Sequence, residues 1–238
     1  MTQFSYMDML SELGIGGAHP GGIKATEIML DDEPINQDTI ILDAGCGTGQ
    51  TSAYLYSAYQ ADIIALDAHP VMVQKAEDRF SQLQLPIKVI KASLEAIPLT
   101  DHSVHYCLAE SVLSFVDIES VLKEMKRVLK PGGVLYGIEL TIQKPLAEID
   151  RIQIGEFYGF KQMWNEDRWE KALRNAGFTD VQIRPLPSFY DEEEPLTEFQ
   201  PSENVPDAIF DLLDRHEKLL HQYQEAMGYR IIRAQNPE

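Results

Sequence analysis

The sequence predicts an α/β protein built on a parallel β-sheet with helices on both faces. Three observations predict it. The apolar run Ile40-Ile41-Leu42 ends in Asp43 and leads into alternating glycines at Gly45, Gly47 and Gly49. Apolar strand-like runs then alternate with segments of helical period through much of the chain. Finally, 44% of the 238 residues are hydrophobic, enough for one α/β core with additions.

Taken in order, Thr2 to Leu13 places Phe4, Met7, Leu10 and Leu13 on one helical face. Gly14 to Gly22 holds five glycines and a proline in nine residues, a composition that argues against any regular element. It reads either as a linker or as a flap over a ligand, with His19 or Lys24 touching that ligand. Ile23 to Leu30 is helical and closes at Asp31-Asp32-Glu33-Pro34. A first strand over Thr39–Asp43 feeds a helix over Thr48–Tyr59, and a second, Asp62–Asp67, precedes Pro70 at a first helical position. Val71–Leu83 is helix, Pro86–Ala92 the third strand, Ser93–Thr100 loop and Ser103–Ala109 the fourth strand. Ile118–Lys130 is an amphipathic helix stopped by Pro131-Gly132-Gly133, and Val134–Ile142 is the fifth strand.

Beyond that the chain is less regular. Pro145 to Phe160 suits a helix over the carboxyl edge of the sheet. Asn165 or Asp167 caps a helix through Ala176, ended by Gly177. Phe178–Leu186 is a strand, and 188–206 is an acidic, proline-bearing loop or insert. Asp207–Met227 is a long helix, and Tyr229–Ala234 a last short strand. The expected organisation is an N-terminal cap over 1–34, a core over 35–187, an acidic insert with a long helix over 188–228, and a closing strand and tail over 229–238.

Charge narrows the function. Twenty basic residues against thirty-eight acidic give a net −18, which repels a phosphate backbone and argues against nucleic acid as a partner. The two cysteines, Cys46 and Cys107, read as buried free thiols rather than a disulfide or redox pair. With no signal-peptide pattern and no apolar run near the ~20 residues of a membrane span, a cytoplasmic protein is expected. No metal-ligand cluster or catalytic triad is visible.

The glycine turn has its own chemistry. A strand, a tight turn and a helix N-terminus at a sheet's carboxyl edge make a cradle for a nucleotide-like ligand. Around it, five pieces stand in order: Leu42-Asp43-Ala44-Gly45-Cys46-Gly47-Thr48-Gly49; Asp67; Ser93-Leu94-Glu95-Ala96-Ile97-Pro98-Leu99; Ser103 to Val116; and Leu129-Lys130-Pro131-Gly132-Gly133. Together they resemble the class I S-adenosylmethionine-dependent methyltransferases of the small-molecule type, over roughly 35–186. A nicotinamide dehydrogenase is the weaker reading, because the glycines run G-x-G-x-G rather than G-x-G-x-x-G.

The resemblance implies a Rossmann-like, seven-stranded, mostly parallel sheet whose last strand is antiparallel. It also implies S-adenosylmethionine as cofactor and methyl transfer to a small molecule by in-line displacement. A non-catalytic cofactor- or partner-binding subunit of the same fold is the alternative. By the same resemblance, Gly45, Cys46, Gly47, Gly49 and Gln50 lie against the cofactor. Asp43 receives its ammonium, fixes the turn, or does both. Asp67 accepts both ribose hydroxyls, or caps the helix at Pro70; Ala68 follows it. Met72 packs on the adenine or in the core, and Ser93 with the Leu94 N–H meets the adenine edge. Ser93 stands where the family often has Asp, and His105 where it often has an acid. Glu110 faces the ammonium or the substrate, or caps a helix. His19, Glu139, Tyr158 and Trp164 are the candidates for the acceptor pocket, each also readable as a cap, core or solvated group.

Overall fold

A computed structural model describes residues 4–16, 21–187 and 198–238. The seven expected strands form one sheet: β2 (Ile40–Ala44), β3 (Asp62–Asp67), β4 (Lys88–Lys91), β5 (Val104–Glu110), β6 (Leu129–Ile142), β7 (Thr179–Pro185) and β9 (Met227–Gln235). They lie in the order β4-β3-β2-β5-β6-β9-β7. The pairs from β4 to β6 are parallel, while β9 runs antiparallel between β6 and β7. The strand after Pro131-Gly132-Gly133 starts earlier than expected. Leu129 already pairs with Val104, and the register then shifts so that Val134 pairs with Tyr106.

Side-chain alternation along the strands gives the sheet two apolar faces. Leu42 and Ala44 turn toward α5 (Ile118–Val128) and α7 (Glu166–Asn175), while Ile41, Ile63 and Leu108 turn toward α2 (Gly22–Leu30), α3 (Gln50–Tyr59) and α4 (Pro70–Gln82). α5 shows the logic: Ile118, Val121, Leu122, Met125 and Val128 recur at helical spacing and are all buried. Asp117 caps its start by accepting the Ser120 N–H at 2.8 Å. In α7 the cap is Asn165, not Asp167.

A third apolar cluster sits over the carboxyl edge. It joins α1 (Tyr6–Leu13), α6 (Glu148–Tyr158) and α8 (Asp207–Tyr223) to Met72, Leu140 and Met227. α1 buries Tyr6, Met9, Leu10 and Leu13, so its inner face is turned from the Phe4–Met7 stripe. α8 ends at Tyr223, four residues before β9 begins.

The glycine-rich stretch needs a correction. Ile15–Gly16 is a short strand, β1, antiparallel to β8 (Glu198–Phe199). Gly14 permits the pairing: a Cβ there would lie 2.1 Å from the Gln200 carbonyl oxygen. The Gln200 N–H in turn donates to the Gly14 carbonyl at 3.0 Å. Arg79 ties this strap to the turn after β2, donating to the Thr48 carbonyl and pairing with Glu198. No helix among the described residues is long and apolar enough to cross a membrane.

Candidate active site

The turn after β2 is held before any ligand arrives. Gly45 and Cys46 both donate their N–H to the Leu66 carbonyl, at 2.7 and 2.9 Å. Gly45 has φ +86°, and a Cβ on it would come within 2.6 Å of Val112, so only glycine lets the turn pass that close.

Four carboxylates reach the carboxyl edge from four strands, two of them at the last residue of their strand: Asp43 on β2, Asp67 on β3, Glu110 on β5 and Glu139 on β6. All four line one cavity of about 150 Å³. Asp43 is buried and accepts the Ser52 hydroxyl at 2.5 Å. Asp67 accepts the Gly47 N–H on one oxygen at 2.9 Å and the His69 N–H on the other at 2.8 Å. Burial pushes its carboxyl above the ordinary range, against those two hydrogen bonds. Glu110 accepts the hydroxyls of Thr26 at 2.6 Å and Thr51 at 2.8 Å. Glu139 is fully buried, and one oxygen accepts the N–H groups of Val112 and Leu113 at 3.1 and 2.9 Å. Its other oxygen has no partner, and burial raises the group to about 8.

The roof is aromatic. Tyr6 from α1 meets Tyr158 edge-on at 4.8 Å and lies 5.2 Å from His216 of α8. Phe160 stacks on Tyr158 at 4.8 Å and meets Phe115 edge-on at 5.0 Å. The Tyr158 hydroxyl is 3.0 Å from His216 Nδ1. Among the described residues no Lys or Arg lines the cavity, and the undescribed segments contain none.

The structure thus brings Asp43, Gly45, Cys46, Gly47, Asp67, Met72, Glu110, Glu139 and Tyr158 to one cavity. The other described candidates are not among the residues lining this cavity. Gly49 packs against α4, where a Cβ would meet the Phe80 ring at 2.6 Å. Gln50 turns its carbonyl oxygen toward Gly16, buried and without a partner. Ala68 is exposed. Ser93 is exposed and caps a short helical turn, its hydroxyl accepting the Glu95 N–H at 3.2 Å, while the Leu94 side chain is buried in the core. Trp164 does not roof the cavity: it packs edge-on to Trp169 at 4.9 Å, in the core beneath the other sheet face. Lys24 pairs with Glu27 at the surface. His19 lies outside the described residues. His105 is a strand-end brace, its Nδ1 accepting the Ile40 N–H at 2.8 Å.

Sequence reasoning passed over Tyr6, Thr51, His216 and Tyr229, which also line the cavity. For Tyr6 a signal existed, since counting tyrosine as apolar gives the 6, 10, 13 spacing that the structure buries. For His216 and Tyr229 none existed, because their neighbours in space are remote in sequence.

Residues 42–137 match the family model for a methyltransferase domain. The chain is 40% identical over 228 residues to the uncharacterized methyltransferase YodH of Bacillus subtilis (strain 168), covering 95% of this chain and 97% of that one. Its fold is similar to phosphoethanolamine N-methyltransferase 2 of Haemonchus contortus in complex with S-adenosylmethionine, with TM-score 0.81 at 16% identity; this chain is covered fully and spans 58% of that one. It is also similar to geranyl diphosphate C-methyltransferase of Streptomyces coelicolor A3(2), with TM-score 0.70 at 16% identity, covering 90% of this chain and 80% of that one. Glycine turn, strand order and a relative matched over nearly the whole length agree, and the chain belongs to the class I S-adenosylmethionine-dependent methyltransferases.

Proposed function

We propose that this enzyme methylates a small, uncharged molecule held between the acidic floor and the aromatic roof. The observation that carries the reading is the convergence of four carboxylates on a cavity that no described Lys or Arg lines. Such a site suits a cation among acids and offers no counter-charge to a phosphate or carboxylate on the acceptor. The solved relatives named for phosphoethanolamine and geranyl diphosphate take phosphorylated compounds; this cavity supports a different class.

The residues present fit the cofactor. Thr48 lines the cavity, and its buried, unpartnered hydroxyl lies beside Gly16, next to the orphaned Gln50 carbonyl oxygen. Asp43, fixed by Ser52, would take the ammonium as a charge-assisted hydrogen bond. Each Asp67 oxygen spends one acceptor position on a backbone N–H and keeps another for a ribose hydroxyl. Met72 would pack on the adenine, and Glu110, steadied by two threonines, would add negative potential beside the ammonium. When bound, S-adenosylmethionine supplies a methyl group on a positively charged sulfur. The protein's work is then to align an acceptor in line behind that methyl and to exclude water.

The roof helices belong to 1–34, 143–160 and 188–228, which we assign to acceptor selection, leaving the rest of the core over 35–187 to the cofactor. The two thiols are buried and unbridged, which supports a reducing, cytoplasmic setting. Asp67→Ala tests the floor. Affinity for S-adenosylhomocysteine, measured by calorimetry, should fall by about 1–3 kcal/mol. An unchanged affinity would leave Asp67 as a helix-start brace alone.

A further inference from the structure

We propose that Tyr158 and His216 form a proton relay for the acceptor, and that the acceptor is an uncharged ring-bearing hydroxyl compound of the phenol class. The inference rests on the methyl-transfer reading above.

The geometry supplies each part. Tyr158 is nearly fully buried, lines the cavity and sits 3.0 Å from His216 Nδ1. The pair comes from two helices, α6 and α8, held together by Tyr6, whose ring contacts both. Two tyrosines and a histidine so placed do more than fill space: a buried hydroxyl beside an imidazole gives a path for a proton from the cavity to α8. Among the described residues the titratable groups against His216 are the phenols of Tyr6 and Tyr158, and burial holds the imidazole below its ordinary value, hence neutral and able to accept.

The acceptor's class follows from charge and electron count. Glu139 at about 8 is uncharged near neutrality, so the floor beneath the relay calls for no cation of its own. An amine arrives as an ammonium, with a pKa of ~10 and no lone pair to attack with until it has lost a proton. A neutral hydroxyl keeps a lone pair for the methyl while its proton is still in place. The rings of Tyr6, Phe115 and Phe160 offer faces and edges to a flat partner. In the step, the acceptor oxygen forms a bond to the methyl carbon as the C–S bond breaks, and the sulfur keeps that electron pair. The acceptor's proton passes to Tyr158 Oη while the Tyr158 proton passes to His216 Nδ1. Positive charge leaves the sulfur and ends on the imidazole, which returns the proton to solvent.

The test begins with binding. Wild-type protein saturated with S-adenosylhomocysteine is titrated with 4-methylphenol, phenyl phosphate and benzylamine. The phenol should bind about tenfold more tightly than either charged probe. Tyr158→Phe and His216→Gln should each weaken the phenol while leaving S-adenosylhomocysteine affinity and Tm near wild type. Methyl transfer to 4-methylphenol should rise with pH through the His216 ionisation and then level. His216→Gln should abolish that rise, and Tyr158→Phe should lower kcat by about 100-fold with KM for the cofactor unchanged. Equal or tighter binding of a charged probe, or a pH limb that survives His216→Gln, overturns the proposal alone. Failure of wild-type protein to bind S-adenosylhomocysteine overturns the methyl-transfer reading, and this proposal with it.

Discussion

The floor and the roof of the cavity are made in opposite ways. The floor is local: Asp43, Gly45 and Gly47 lie within five residues, and Asp67 and Glu110 sit at strand ends whose register the sheet fixes. The roof is assembled from afar, with Tyr6, Tyr158 and His216 drawn from three helices spread over more than two hundred residues. The floor is polar and already hydrogen-bonded; the roof is a set of rings with one hydroxyl–imidazole contact. What differs is the kind of constraint. A backbone turn and a strand end restrict residue identity, whereas a packed aromatic lid restricts mainly volume and shape.

Glu139 is where the two regions meet, and it offers the largest break. Its folded value of about 8 lies above the ordinary 4.5, so between those values the folded chain holds a proton that the unfolded chain has released. The stability it contributes is whole below pH 4.5 and is lost as pH rises through about 8. The stability of wild type relative to Glu139→Gln should therefore fall by roughly 3–4 kcal/mol from pH 5 to pH 8, read by denaturant melts. A pH-independent difference would mean that water or an ion reaches the carboxylate.

A smaller effect separates floor packing from floor chemistry. Gly49→Ala puts a Cβ against Phe80 at φ +78°. It should cost about 3 kcal/mol, a Tm drop of roughly 6–12 °C, with cofactor affinity kept in the folded fraction. Lost affinity at unchanged Tm would return Gly49 to the ligand. The smallest expected effect is at Lys24, paired with Glu27 outside the cavity. Lys24→Ala should move S-adenosylhomocysteine affinity by under about 0.5 kcal/mol; a tenfold loss would extend the floor beyond its four acids.

The same contrast explains what the sequence disclosed. The strands were legible because apolar runs, punctuating glycines and Pro70 act at short range, and the acids at 43, 67, 110 and 139 stand out within or beyond apolar runs. Glu139 is readable because a lone acid in a buried strand calls for a partner, which the Val112 and Leu113 N–H groups supply. Trp164 misled because aromatic content marks a roof and a core equally, and only its pairing with Trp169 decides. β1 was hidden because its partner lies almost two hundred residues away and its pairing depends on a backbone passing where Gly14 has no side chain.

β9 ties the far edge of the sheet to the chamber. It lies between β6 and β7, and among the described residues β7 has no other neighbour in the sheet. The same strand brings Met227 and Tyr229 to the cavity wall. Any slip in its register would therefore loosen a sheet edge and reshape the acceptor's chamber together.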